Sequence, residues 1–497
     1  MAAQAESEEL GLSILGLGTQ YPPHSLKPDA LDTLSKLYYP DSPAMRKVLS
    51  INRYTGIDQR SSIGTPDHPL VNQPAPPTIA DLHKMFMSAG VPLAVSAARK
   101  ALAEAHVDAA QVTHMVSTTC TDSANPGYDH FVARELCLNH TVEKVLLHGV
   151  GCSGGLAALR TAANLCLGHT MQRKPARILV VALEISTTLV RSELESIHDL
   201  QETRIGATLF SDCASAVLLS NDIPMSPAHP LPPPIYSLLT WTHQTIPSTE
   251  SDLGFDVDPA GWKVVLSPRI PQLTQSILQP SFAALLACAP TTTIATLGKQ
   301  QERQSQHQPQ PSDFDWAMHP GGATILTNAE RALGISPEHM RASYDTYINH
   351  GNSSSATIFS VLDRLRHKDM DALAPGGGSA NLKEHVVGCA FGPGITVEMC
   401  LLRRNLGLAV PGGGGGTRAA GRLGMETPPE TESEASAGSE DGESEGPDEV
   451  AEKDGEVEQR TRRDGDSSDS GVGRGGSRQG GEDEAFISEA LEGIELD

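Results

Sequence analysis

Two runs of the chain, ARILVVALEIS at 176–186 and SDCASAVLLSN at 211–221, are dominated by Val, Ile, Leu and Ala. Strands of this composition belong to a sheet covered on both faces, so the chain has to fold in layers. Around them, strand-like and helix-like segments alternate. LSILGLGTQYPP (12–23) reads as an apolar strand closed by a turn, PLAVSAARKALAEAH (92–106) as a helix, VTHMVSTTC (112–120) as a strand and HFVARELCL (130–138) as a helix. LLHGVGCSGGLAAL (146–159) passes from apolar residues through a Gly-flanked cysteine into helical spacing that continues through RTAANLCL. The Pro-rich DIPMSPAHPLPPP (222–234) interrupts the pattern and marks a boundary.

Beyond it the logic repeats. IYSLLTWTH is a strand, QLTQSILQPSFAALLACA a helix, FDWAMHPGG a strand entering a turn, ATILTNAERALG a helix, and GNSSSATIFSVLDRLRHKD (351–369) begins another helix. EHVVGCAFGPGITVEMCLLRR (384–404) gives two strands around a Gly-rich turn. The expectation is an α/β protein of two halves, 10–221 and 232–405, with surface inserts at 298–313 and 375–381.

The formal charge of -24 is concentrated at one end: residues 425–497 hold 24 acidic and 6 basic residues, a net of -18. That leaves -6 for residues 1–424, which gives no charge argument for nucleic acid. Residues 406–497, rich in Gly, Glu, Ser and Asp, are expected to form a disordered acidic tail, because so few apolar groups cannot offset the entropy of ordering. Its last stretch, EDEAFISEALEGIELD, is either a solvated end or a short helix that folds on a partner.

Eight cysteines show neither a CxxC pair nor metal-ligand spacing, so no metal site is expected. The start, MAAQAESEELG, lacks the pattern of a secretory signal, and no apolar run reaches the roughly 18 residues of a membrane span. A reducing, cytoplasmic compartment is the corresponding expectation.

Chemistry enters with Cys152, where a strand hands over to a helix. A helix N-terminus favours thiolate, and flanking glycines allow a substrate close approach. His319 in DWAMHPGGATIL and Asn352 in YINHGNSSSATIFSVL lie at comparable corners of the second half. Taken singly, these are a thiol at a turn, a turn histidine and a helix N-cap. Together they suit acyl transfer, in which the thiolate accepts an acyl group while His and Asn stabilise an oxyanion and the carbanion left by decarboxylation.

GVGCSGG, HPGGATIL, GNSSSA and FGPGITVE, in this order, resemble the chalcone-synthase-related type III polyketide synthases, in particular fungal members. The resemblance covers roughly residues 10–404. It implies a thiolase-like five-layered αβαβα fold of two duplicated halves, acting as a homodimer. It also implies Cys152 as the nucleophile, with His319 and Asn352 decarboxylating malonyl-CoA. Phe210 matches the gate between the coenzyme A tunnel and the cavity. Cys120, Ser186, Leu189, Val264 and Ser354 fall at cavity-shaping positions, and Lys47, Arg53 and Arg60 at or near those that hold coenzyme A phosphates.

Where plant chalcone synthases carry a second gate phenylalanine and a threonine, this chain has Val264 and Leu189, and Ala390 replaces a glycine. The departures at Val264 and Leu189 weaken the case for a chalcone product, whereas alanine at 390 still permits the turn. The implied activity is iterative condensation of malonyl-CoA onto an acyl-CoA starter, possibly fatty acyl, closing to a pyrone or resorcinol-type ring. Acyl-CoA and malonyl-CoA are then substrates and no cofactor is required. The alternative is a β-ketoacyl-acyl-carrier-protein synthase III, which shares Cys, His and Asn but usually follows its His with a different run. A hydroxymethylglutaryl-CoA synthase would need a catalytic glutamate upstream of the Cys. The intact Cys, His and Asn also argue against an interaction protein carrying an inactive domain.

Overall fold

The computed structural model describes residues 9–226, 230–258, 261–291, 293, 309–378 and 382–410. Most of the Gln-rich insert, the end of the Gly-rich insert and the acidic tail from residue 411 lie outside the described residues. Residues 406–410, expected to begin the tail, form a turn and then pair with the chain at 366–368.

The strands are β1 (Leu12–Gln20), β2 (His24–Leu26), β3 (Arg60–Ser62), β4 (His114–Thr118), β5 (Glu143–Leu147), β6 (Arg177–Ile185), β7 (Asp212–Asn221), β8 (Tyr236–Thr245), β9 (Leu253–Asp258), β10 (Gly261–Leu266), β11 (Asp315–Met318), β12 (His385–Gly392) and β13 (Thr396–Arg404). The main helices are α1 (Asp29–Tyr38), α2 (Pro43–Tyr54), α3 (Ile79–Met85), α4 (Val91–Glu104), α5 (Tyr128–Glu135), α6 (Gly154–Met171), α7 (Val190–Leu200), α8 (Ile270–Ala287), α9 (Ala323–Leu333), α10 (Arg341–His350) and α11 (Thr357–Leu365). Sequence periodicity alone did not reveal α1, α3, α7, α10 or the β9–β10 hairpin.

Hydrogen bonding runs in the order β11-β12-β13-β8-β1-β7-β6-β4-β5. The two arms join through only two residue pairs of β1 and β8, Ser13 with Ser237 and Ile14 with Tyr236. Each arm has the same signature: a first strand antiparallel to the last, the last antiparallel to an inner strand, and that strand parallel to its other neighbour. This is the expected duplication.

Alternation along the strands builds the layers. Ile178, Val180 and Ala182 of β6 face a central core with α6 and α11, whereas Leu179, Val181 and Leu183 face α4 and α5 on the other side. In the second half Val386 and Ala390 of β12 join that same central core, while Val387, Cys389 and Phe391 face α8, α9 and α10. The order is therefore helices, sheet, helices, sheet, helices. Period-2 side chains on strands covered on both sides explain the continuous apolar runs. A smaller cluster of α1, α2 and α7 packs beside these layers.

Candidate active site

Cys152 lies in a tight turn, Gly151–Ser153, between β5 and α6. Gly151 has φ +55°, and a Cβ there would fall 2.6 Å from Pro393, so the turn between β12 and β13 packs directly against the cysteine turn. Ser153 Oγ lies 3.1 Å from Thr396 Oγ1, extending that contact.

His319 follows β11, and its N–H donates to the Cys389 carbonyl at 2.8 Å. The ring is 2% exposed, and neither ring nitrogen has a hydrogen-bond partner among the described residues. Burial pulls its pKa down to about 3, so the imidazole is neutral.

Asn352 connects the corners. Its backbone bridges to the first half, Asn352 N–H donating to Leu209 O (3.1 Å) and Ser211 N–H to Asn352 O (2.8 Å). Its side-chain Oδ1 accepts from Ser354 N–H at 2.8 Å, and Nδ2 donates to the carbonyl of Gly321, two residues after His319, at 3.2 Å. The same side chain lies close enough to Cys152 to favour its thiolate. These contacts fix the amide with its N–H edge toward the cysteine.

The helix-end argument leads one to expect a lowered Cys152 pKa. Instead burial pushes the thiol up to about 11; Ser354 and Asn352 pull it down, while the charge of Glu184 adds to the rise. Cys152 sits one step ahead of α6 in a tight turn, and loss of water outweighs its local donors.

Ser354 holds an unusual backbone for a non-glycine residue, φ +46°, which costs about 1–3 kcal/mol. Its hydroxyl lies 3.3 Å from Cys120 Sγ and also favours the thiolate of Cys152, so it acts on both thiols. Behind Cys120 is Glu184, fully buried on β6, which the motif search overlooked. Its carboxylate accepts from Cys120 N–H (3.1 Å), the Thr121 hydroxyl (2.9 Å) and the Ser355 hydroxyl. Burial raises the Glu184 pKa against these hydrogen bonds. Its signal in the sequence is the lone acid inside ARILVVALEIS. Asp212 was also overlooked: its Oδ1 accepts the N–H groups of Ser186 (2.7 Å) and Thr187 (2.8 Å).

Beside the triad is a cavity of about 80 Å³, walled by Leu26, Leu31, Leu34, Ile63, Val71, Ser186, Leu189, Phe210 and Val264 among others. Cys152, His319 and Asn352 do not line it. Phe210 does, and its backbone bridge to Asn352 makes it the shared wall between cavity and triad.

The basic residues are placed differently from one another. Arg60 lines the cavity, but its guanidinium donates to the carbonyls of Ala207 and Thr208 (2.7 Å) and to Asn52 Oδ1 (3.1 Å), and burial lowers its pKa to about 10. Arg53 pairs with Asp32 at 2.6 Å, and Lys47 is exposed on α2. Lys27, not singled out from the motifs, also lines the cavity. Among the described residues no cluster of three or more His, Cys, Asp or Glu side chains could hold a metal ion, and no helix is long and apolar enough to cross a membrane.

Comparison with known proteins places this geometry. Residues 12–223 match the N-terminal domain model of chalcone and stilbene synthases, and residues 240–405 the C-terminal one. The chain is 39% identical over 398 residues to the type III polyketide synthase pspB of Penicillium soppii, covering 79% of this chain and 96% of that protein. It is 36% identical to the acylalkylpyrone synthase csyB of Aspergillus oryzae, covering 79% and 94%. Among solved structures, a type III pentaketide synthase from Neurospora crassa is 70% identical, with TM-score 0.74, over 80% of this chain and all of that one. A csyB structure holding coenzyme A is 36% identical, with TM-score 0.71, over 79% of this chain and all of that one.

Proposed function

The chain belongs to the chalcone and stilbene synthase family and is a type III polyketide synthase; from that premise we propose how its own residues carry the reaction. The Cys152 thiol attacks the acyl-CoA carbonyl, its proton passes by way of His319 to the departing coenzyme A thiolate, and an acyl thioester is left on Cys152. Malonyl-CoA then loses carbon dioxide, and the electron pair of the broken C–C bond moves onto the thioester carbonyl. The Asn352 N–H and His319 stabilise that enolate. The enolate carbon attacks the acyl-Cys152 carbonyl, a C–C bond forms, and the Cys152 thiolate leaves. Return of the lengthened chain to Cys152 begins the next cycle.

The observation that carries this reading is the fixed Asn352 amide, hydrogen bonded to Ser354 N–H and Gly321 O and turned toward Cys152. Its orientation is settled before substrate arrives, so it need not reorganise during reaction. Beside it, the neutral His319 has unpartnered nitrogens, so its ring N–H is available to the enolate oxygen.

The starter is a fatty acyl-CoA in this proposal, and the product a pyrone or a resorcinol-type ring. Support comes from the largely aliphatic cavity wall and from the similarity to an acylalkylpyrone synthase. Acyl-CoA and malonyl-CoA are the substrates, with no added cofactor, and the location is cytoplasmic. The proposed partner is a second copy of the chain. Strand β5 is one of the two edges of the sheet, with Glu143, Lys144 and Val145 exposed, and such an edge favours pairing.

Full-length protein incubated with radiolabelled malonyl-CoA and a panel of acyl-CoAs is expected to give cyclised products, most from long-chain starters. Cys152→Ala should abolish loading, and Asn352→Ala should load starter without decarboxylating malonyl-CoA. Acceptance of malonyl-carrier protein in place of malonyl-CoA, with no product from any acyl-CoA, would return the balance to the carrier-protein-dependent alternative.

A further inference from the structure

The β9–β10 hairpin stands apart from the main sheet and carries Val264 into the cavity wall. Within the hairpin, Val264 lies opposite Phe255, whose ring is 6.2 Å from that of Phe210. The hairpin thus touches the residue that separates the cavity from the triad.

Two side chains from the first half hold the backbone of Val264. Glu193 on α7 accepts its N–H at 2.9 Å through Oε1, and Arg204 Nη1 donates to its carbonyl at 3.4 Å. Glu193 is 1% exposed and lines the cavity, and its second oxygen has no hydrogen-bond partner among the described residues. Nothing in the triad chemistry uses either residue. A buried carboxyl with one unsatisfied oxygen costs free energy, so its place here calls for a reason.

We propose that Glu193 and Arg204 form a clasp on the two backbone polar groups of Val264 and so fix the β9–β10 hairpin against Phe210. Both are positioning residues that set which acyl chains the cavity accepts. The proposal rests on the polyketide synthase reading above. The hairpin has no ladder with the main sheet; Gly394 N–H donates to Leu253 O at 2.9 Å at its base, and Glu193 and Arg204 anchor its far strand at Val264. Loss of the anchor frees a cavity wall without touching Cys152, His319 or Asn352, and the effect falls on starter binding before turnover.

The test compares wild type with E193A, E193Q and R204A as full-length proteins. The panel is acyl-CoA starters of increasing length, with product length read by mass spectrometry. Amide hydrogen exchange is followed across residues 253–266. In E193A, exchange at the Val264 amide should rise at least tenfold while β6 is unchanged. The KM for long-chain starter should rise several-fold with a smaller change in kcat, and the product range should broaden. E193Q keeps an acceptor for the Val264 N–H and should restore both the exchange and the KM.

R204A should shift exchange and KM in the same direction as E193A, and carries the test alone should E193A fail to fold. Unchanged hairpin exchange, or an unchanged product range with hairpin exchange raised, overturns the proposal. So does an equal loss of kcat and KM selectivity in E193Q and E193A. If wild type makes no polyketide from any starter, the functional reading has failed instead, and the exchange comparison still reports on the clasp.

Discussion

The turn that carries Cys152 is held from below by the β12–β13 turn, and Gly392 makes that contact possible. A Cβ added at Gly392 would fall 2.1 Å from Ser153 Oγ, 2.7 Å from the Val150 carbonyl oxygen and 2.8 Å from Thr396 Oγ1. The serine hydroxyl can rotate away, but the Val150 oxygen belongs to the backbone leading into Cys152. To reach an ordinary contact of about 3.4 Å it must retreat by roughly 0.7 Å, and the cysteine turn must move with it. Gly392→Ala should therefore cost about 1–3 kcal/mol of stability through overpacking. The larger effect should be on rate, because a displacement near 1 Å at a reacting group costs on the order of 100-fold. We expect kcat for radiolabelled malonyl-CoA incorporation to fall by roughly 10- to 100-fold, with the protein still folded by circular dichroism at the assay temperature. Turnover within twofold of wild type would show that the cysteine turn is not set by this contact.

Other consequences follow from the same geometry. With its thiol pushed up to about 11, Cys152 should be alkylated by iodoacetamide slowly at pH 7, and the rate should still be climbing above pH 9; a plateau below pH 8 would mean that the helix end outweighs burial. Burial holds His319 at about 3 against an ordinary 6.5, so the unfolded chain takes up a proton there that the folded chain refuses. This group's contribution to stability is complete above pH 6.5 and is lost as pH falls toward 3, with a slope of at most about 1.4 kcal/mol per pH unit. Urea unfolding of H319Q should show a flatter decline across that window than wild type, and an identical decline would place the histidine in water. Val264→Phe should narrow the cavity and lower kcat/KM for long-chain starters relative to acetyl-CoA; equal effects on both would remove Val264 from the wall that selects them.

The candidate site was largely legible in the sequence. Cys152, His319 and Asn352 each stand at an element end beside glycine or a polar turn, and short motifs expose such corners. Glu184 escaped because a single acid in an apolar strand carries no spacing, and its importance arises only when Cys120, Thr121 and Ser355 converge on it. Glu193 and Arg204 escaped for a similar reason, since both reach a backbone some sixty to seventy residues further along the chain. Arg60 shows the opposite case: a basic residue in the right region whose guanidinium is taken up by backbone carbonyls.

The apolar runs and their alternation with helices determined the layered α/β architecture, because a strand without a polar face has to be covered on both sides. The same local patterns singled out Cys152, His319 and Asn352 as the proposed nucleophile and its partners. Tertiary packing decided the ionisation of the site. It left the Cys152 thiol protonated despite the nearby helix end and kept His319 neutral, since loss of water depends on everything that surrounds a group. It also decided the shape of the cavity, whose wall is built from the first half of the chain and closed by Val264 from the second.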